Sequence, residues 1–326
     1  MTTPLDPKLQ GFDLIQATYK QVGDHVIRTD ILVPQTPHPG KRPTLIRFHG
    51  GGLVMGDSLF LPFWAQWLSD FALQYGAVII SPNYRLLPQA TGQDIYDDVE
   101  DFWTWLHSPA AHDLLAAHTT PTELDLTRIL TTGDSAGGLL SINLGLAHAT
   151  EIRATTATFP CIDMKSLDFT TPRANPPFGH HMPESVIQDT IAASPTTPFS
   201  SAATPAHLGY MLATIQHGRL GAWYARDSEG SPREGLLHPM DRLEQPGVEI
   251  PQGGITILHG RQDSAVPVHQ SERFVARARE VLKGQPVGDR VTLTIRDGDH
   301  GFDKDVRYEE AWLQEALKTA VETWLA

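Results

Sequence analysis

The chain has 326 residues with 40% hydrophobic content, enough for one large domain or two smaller ones around a sizeable core. Its single cysteine, Cys161, excludes an internal disulfide framework and a cysteine-based zinc site, and fits a reducing, cytoplasmic setting. A formal net charge of −13 without a Lys/Arg cluster argues against nucleic acid as a partner, and the sequence has neither a signal-peptide pattern nor the roughly 18 uninterrupted apolar residues of a membrane span.

Along the chain, "DHVIRTDILVP" alternates like a half-buried strand, and "QTPHPGKRP" breaks it before "TLIRFHG" begins another. The break is read as a hairpin connection. A helical pattern from Phe60 to Tyr75 leads to the apolar run "GAVIISPNY" and the amphipathic stretch "DIYDDVEDFWTWLH". The alternation continues with "RILTT", "AGGLLSINLGLAHA" and "ATTATFP". It resumes far downstream with "GITILHG", a helix from Val268 to Lys283, "RVTLTIRD" and a terminal helix from about Val306. This rhythm predicts a doubly wound α/β fold with a mostly parallel sheet. Residues 161 to about 250 interrupt it. They are rich in Pro, Ser, Thr and Gly, with short helical pieces around Ser185 to Ala193 and Leu208 to Tyr224. They also carry Phe178, His180, His181, Met182, Phe199, Tyr210, Met211, Trp223 and Tyr224, too many large side chains for a linker. The segment reads as a cap or lid.

"GDSAG" places Ser135 between Gly133 and Gly137, after a strand and at the start of a helix. A serine there can be a helix N-cap, but that role does not explain the second glycine. A strained strand-to-helix turn that exposes a nucleophilic hydroxyl does, because it tolerates no flanking side chains. Upstream, "FHGGGLVMGD" sets Gly50, Gly51 and Gly52 after His49. Such a run lets backbone N–H groups approach a developing oxyanion. His49 is expected to pin this loop rather than to act as a base. The partners of an elbow serine follow in the order acid, then histidine, each just past a strand. "ITILHGRQDSAVP" supplies Asp263 and "VTLTIRDGDHGF" supplies His300. Asp297 and Asp299 lie beside His300, yet such near neighbours rarely present a carboxylate to the ring, so Asp263 is preferred. His180 and His181 have no further ligand set at a recognisable spacing, and no metal or other cofactor is expected.

Together "HGGG" at 49 to 52, "NYRLLP" at 83 to 88, "GDSAGG" at 133 to 138, "GRQDSAVP" and "DHGF" resemble the hormone-sensitive-lipase-like branch of the α/β-hydrolases, over nearly the whole chain from about residue 20. The resemblance implies one α/β-hydrolase domain over residues 1–326, with an eight-stranded sheet and a cap built from about 1–20 and the 161–250 insertion. It also implies cofactor-free carboxylic-ester hydrolysis, with an oxyanion hole at the backbone of Gly51, Gly52 and Ala136. Gln89 stands where the family commonly has Glu, so an ion pair that often supports the site is expected to be missing. Substrate contacts are expected from Leu53, Asp134, Phe178 and Trp223.

The expected function is a Ser135–His300–Asp263 esterase or lactonase working through an acyl-enzyme on a small-molecule ester, with the large aromatic lid suiting a bulky natural-product substrate of secondary metabolism. Two alternatives stand beside it: an acyltransferase or cyclase using the same triad, and a small-molecule receptor on a retired hydrolase. An edge strand or helix near the C-terminus would allow a homodimer, though nothing in the residues demands one.

Overall fold

The computed structural model describes residues 6–326. Eight strands form one sheet in the order β1-β2-β4-β3-β5-β6-β7-β8. They are β1 (Phe12–Val22), β2 (His25–Pro34), β3 (Arg42–Phe48), β4 (Val78–Pro82), β5 (Leu124–Gly133), β6 (Ile152–Thr158), β7 (Ile255–Gly260) and β8 (Val291–Arg296). The β1–β2 and β2–β4 pairs are antiparallel and the remaining pairs parallel. Strands β3, β4 and β7 are buried along their whole length, as parallel strands covered on both faces must be. Edge strand β1 instead alternates between more and less exposed residues.

Helices α1 (Gln66–Tyr75), α2 (Gly92–Leu106), α3 (Pro109–Ala116) and α4 (Ala136–Ala147) lie between the early strands. Within 161–250 follow α5 (Leu167–Thr170), α6 (Ser185–Ala193), α7 (Pro205–Gln216), α8 (Leu220–Ala225), α9 (Glu234–Leu237) and α10 (Pro239–Leu243). The chain closes with α11 (His269–Val281) and α12 (Ala311–Leu325). Helices α1 and α12 cover one sheet face, where Phe71 and Trp324 stack at 5.3 Å, both fully buried. Each such ring contributes about 2–3 kcal/mol by leaving water. The other face packs against α2, α4 and the 161–250 helices. Helix α4 is buried from Ala136 to Leu146, so the element after Ser135 is a fixed central support.

Three expectations need correction. The break at 35–43 is not a hairpin, because β4 lies between β2 and β3. Pro and Gly mark where a strand stops but not which strand it will join, and the β3–α1–β4 crossover inserts β4 into that gap. The hairpin joins β1 to β2 instead, where Gly23 has φ +58° between the paired Val22 and His25. The N-terminal cap contribution is also displaced: Phe12–Val22 enters the sheet as its edge strand, while residues 1–5 lie outside those described. Finally, two helices start late. Leu61–Phe63 makes a 3-10 turn before α1. The residues ahead of α12 are held in turns, with Arg307 bonded to Asp70 and Tyr308 edge-on to Phe71 at 4.9 Å.

The 161–250 segment contains helices and no sheet strand among the described residues. Its 199–202 stretch is stitched to the sheet side by Leu86 N–H donating to Phe199 O at 3.0 Å and by a Gly56–Ala202 bridge.

Candidate active site

Ser135 sits where β5 ends and α4 begins, with φ 54° and ψ −117° and no side-chain capping bond. The N-cap role is therefore absent. A non-glycine residue at such a φ is strained and persists only where its surroundings enforce it. Here the backbone enforces it: Ser135 N–H donates to Thr158 O at 2.9 Å and Ser135 O accepts from Cys161 N–H at 3.1 Å. Both flanking glycines are required by space, since a Cβ on Gly133 would fall 2.1 Å from Gly137 O and one on Gly137 would fall 2.1 Å from Phe48 O. Among the described residues the Ser135 hydroxyl has one hydrogen-bonding partner, the Cys161 thiol, at 3.7 Å.

The glycine loop lies against this elbow. A Cβ on Gly50 would approach Ser135 Cβ to 3.3 Å. Gly50 N–H donates to Asp134 Oδ2 at 2.9 Å, and Arg47 donates to Asp134 Oδ1 at 2.9 Å while lying 4.4 Å over the Trp64 ring. Burial raises the Asp134 carboxyl above its ordinary range, against the pull of Arg47. Asp134, expected at the substrate, thus has both oxygens engaged within the protein. Gly51 turns at φ +115° with its carbonyl accepting from Val54 and Met55, and Gly52 follows at φ +62°. Among the described residues no acceptor binds the N–H groups of Gly51, Gly52 or Ala136. Backbone donors left without an acceptor are free to bind an anion.

His49 is buried and stacked on Tyr84 at 4.3 Å, and Tyr84 donates to His49 O at 2.7 Å. Its Nδ1 donates to Gly50 O at 2.8 Å. Burial lowers its pKa to about 4, so the ring stays neutral and pins the loop, as its sequence position suggests.

Past β7 and β8, His300 Nδ1 donates to Asp263 Oδ2 at 2.8 Å. That bond fixes the tautomer and leaves Nε2 as the ring's acceptor. Asp263 Oδ1 accepts from the N–H groups of Ala265 at 3.0 Å and Val266 at 2.7 Å. His259 Nε2 donates to Val266 O at 2.8 Å and stands 3.3 Å from Asp263 Oδ2, so its Nδ1 accepts from Ser271. Burial alone would raise the Asp263 pKa, but the charge of His300 and the bonds from His259 and His300 bring it down to about 2. Asp297 pairs with Arg261, and Asp299 binds main chain and Ser264 rather than the imidazole.

Of the expected substrate contacts, Phe178 stands edge-on to His300 at 6.3 Å, and Trp223 stacks on Tyr210 at 6.2 Å. Leu53 is buried in the glycine loop, its carbonyl accepting from Leu87 N–H. Gln89 donates to Pro195 O at 3.3 Å, and Arg85 finds its carboxylates elsewhere, in Asp94 and Asp98 at 2.8 Å each. Sequence reasoning missed Phe159, whose ring lies 4.3 Å from His300, and Cys161. Both sit just past the end of β6, beside β5, and that strand-end position was the available signal. Met211, read in the sequence only as a lid side chain, has its Cγ where it would lie 3.1 Å from a Cβ on Gly52. Among the described residues no group of three or more His, Cys, Asp or Glu is arranged to hold a metal ion, and no helix is long and apolar enough to cross a membrane.

A mostly parallel eight-stranded sheet with an elbow serine and chemistry at its strand ends defines an α/β hydrolase. Comparison with known proteins agrees: a family model described as the alpha/beta hydrolase fold matches residues 45–196. A probable carboxylesterase of Phoma sp. is 30% identical over 328 residues, covering 96% of this chain and 97% of the relative. A second, from Cochliobolus lunatus, is 30% identical over 213 residues, 61% of this chain and 92% of that one. Among solved structures, esterase B of Lactobacillus rhamnosis superposes with a TM-score of 0.57 at 18% identity, over 97% of this chain and 85% of that one. The chain belongs to the α/β-hydrolase fold family and is a carboxylesterase-type hydrolase of carboxylic esters.

Proposed function

We propose that the chain cleaves a carboxylic ester or lactone through an acyl-enzyme on Ser135, with His300 as base and acid and Asp263 as its orienting carboxylate. The Ser135 hydroxyl turns from Cys161 toward His300 Nε2, gives up its proton there, and Oγ attacks the ester carbonyl carbon. The oxyanion is held by the N–H groups of Gly51, Gly52 and Ala136. Collapse breaks the carbonyl–alkoxy bond, and His300 returns the proton to the departing alcohol. Water, deprotonated by His300, then attacks the acyl carbon and releases the acid, restoring Ser135.

The observation that carries this reading is the 2.8 Å bond from His300 Nδ1 to Asp263 Oδ2 past neighbouring strand ends, with the glycine loop packed against the strained serine and, among the described residues, no acceptor on the amides of Gly51, Gly52 and Ala136. Residues 161–250 serve as the cap of a single hydrolase domain. Phe178 beside His300 and the Tyr210–Trp223 pair in the cap favour a bulky, partly aromatic ester over a small acetate.

Intact-mass analysis after treatment with a fluorophosphonate tests the nucleophile. One adduct on the parent chain and none on Ser135→Ala is expected. Equal labelling of both, or of neither alongside retained esterase activity in Ser135→Ala, would remove Ser135 from the reaction.

A further inference from the structure

We propose that Ser264 is a positioning residue that sets the His300 ring against Asp263 and ties that setting to the cap; the proposal rests on the Ser135–His300–Asp263 reading. Ser264 follows the carboxylate and Asp299 precedes the imidazole, and the two residues are bonded to each other. Ser264 N–H donates to Asp299 Oδ1 at 2.7 Å, and its hydroxyl lies 2.9 and 3.0 Å from the two Asp299 oxygens. Asp299 Oδ1 also accepts from His300 N–H at 2.7 Å. One carboxylate therefore clamps the main chain of both loops, each a single residue away from the functional side chain.

The cap grips the same residue. Phe178 N–H donates to Ser264 Oγ at 2.8 Å, and Arg173 Nη1 donates to Ser264 O at 3.2 Å and Ala265 O at 2.8 Å. Every polar group of Ser264 is thus used: its N–H and O–H on Asp299, its oxygens by the cap. Phe178 adopts φ 54° to present its N–H, a conformation disfavoured for a phenylalanine and held here by its surroundings. Since Phe178 also faces His300 with its ring, a shift of the cap is felt by the imidazole through both the ring and the Ser264–Asp299 link. Displacement of a reacting group by about 1 Å lowers rate about a hundredfold, so a clamp of this kind acts on kcat more than on KM.

Ser264→Ala, Ser264→Thr, Asp299→Asn and the Ser264→Ala/Asp299→Asn double variant, assayed on one chromogenic ester across pH, test this. The expected result is a kcat lowered about tenfold to a hundredfold in Ser264→Ala with KM little changed, and an acidic limb of the kcat/KM profile displaced from the parent's. The hydroxyl of Ser264→Thr restores most of kcat. The double variant loses no more than its worse single, because both break one link. A parental kcat and pH profile in Ser264→Ala, a loss that Thr does not restore, or strictly additive losses would each overturn the proposal. Should Ser264→Ala not fold, Asp299→Asn decides alone: a parental pH profile there overturns it and a displaced one supports it. Ser135→Ala run in parallel separates the two readings, since activity retained in Ser135→Ala overturns the triad whatever Ser264 does.

Discussion

His300 and Asp263 are joined by a 2.8 Å bond whose carboxylate is itself held by two backbone N–H groups, from Ala265 and Val266. The acid is therefore a fixed acceptor. Asp263→Asn keeps the shape but offers the ring an amide donor or a weaker oxygen, favouring the wrong tautomer. Ester turnover at neutral pH is expected to fall by about four orders of magnitude while the variant stays folded. A loss under tenfold would assign the orienting role elsewhere.

The glycine loop has no room for a side chain. In Gly51→Ala the new methyl would meet Met55 O at 2.2 Å, at a φ of +115° that L-residues rarely adopt. The loop must shift, and the N–H groups proposed to hold the oxyanion shift with it. Turnover and phosphonate labelling should both fall by about a hundredfold or more, the cost of losing an oxyanion donor. Labelling at the parental rate would show that those amides do not face the reacting carbonyl.

Cys161 supplies a count as well as a contact, being the one thiol of the chain. It is buried against Ser135, and burial pushes its pKa up to about 12. Iodoacetamide at about pH 8 should leave the folded mass unchanged and add one carbamidomethyl group after denaturation, since the thiolate is the reactive form. An adduct on the folded protein would show that the site opens more readily than the structure implies.

Asp303 lies just beyond His300, buried, with Trp67 Nε1 donating to it at 2.8 Å. Burial raises its pKa from 3.8 to about 6, helped by the nearby charge of Asp134 and opposed by the Trp67 bond. Because the folded value lies above the unfolded one, its favourable contribution is complete below about pH 4 and is lost as pH rises through about 6. Asp303→Asn keeps an acceptor for Trp67 and cannot ionise. Urea denaturation should show the variant losing less stability than the parent between those pH values, by about 2 kcal/mol. Parallel curves would place Asp303 in contact with water.

Much of the candidate site was legible because its residues lie where strands end: Ser135 after β5, Asp263 after β7, His300 after β8. Alternating periodicity located those strands, and the glycines announced the tight approaches. Partners across the sheet were a different matter. The Pro/Gly break before β3 could not reveal that β4 would slip in beside β2, since strand order depends on crossovers rather than on local composition. Ser264 and Asp299 are 35 residues apart and read as ordinary loop residues until β7 and β8 bring their loops together. Phe159 and Cys161 look like the tail of a strand, and only the folded sheet sets Phe159 beside His300 and Cys161 beside Ser135.

Asp134 accepts the Gly50 N–H and precedes Ser135, so the proposed nucleophile and the loop proposed to hold the oxyanion are parts of one mechanical unit, braced by Arg47 from β3. The separation between these two parts is therefore braced from the strand side, through Arg47 and Asp134. Residues 161–250 touch the site at few points, Cys161 on the serine backbone and Phe178 and Arg173 on Ser264, so the rest of the cap can change lining without reaching that spacing, while a change at those contacts is felt at once.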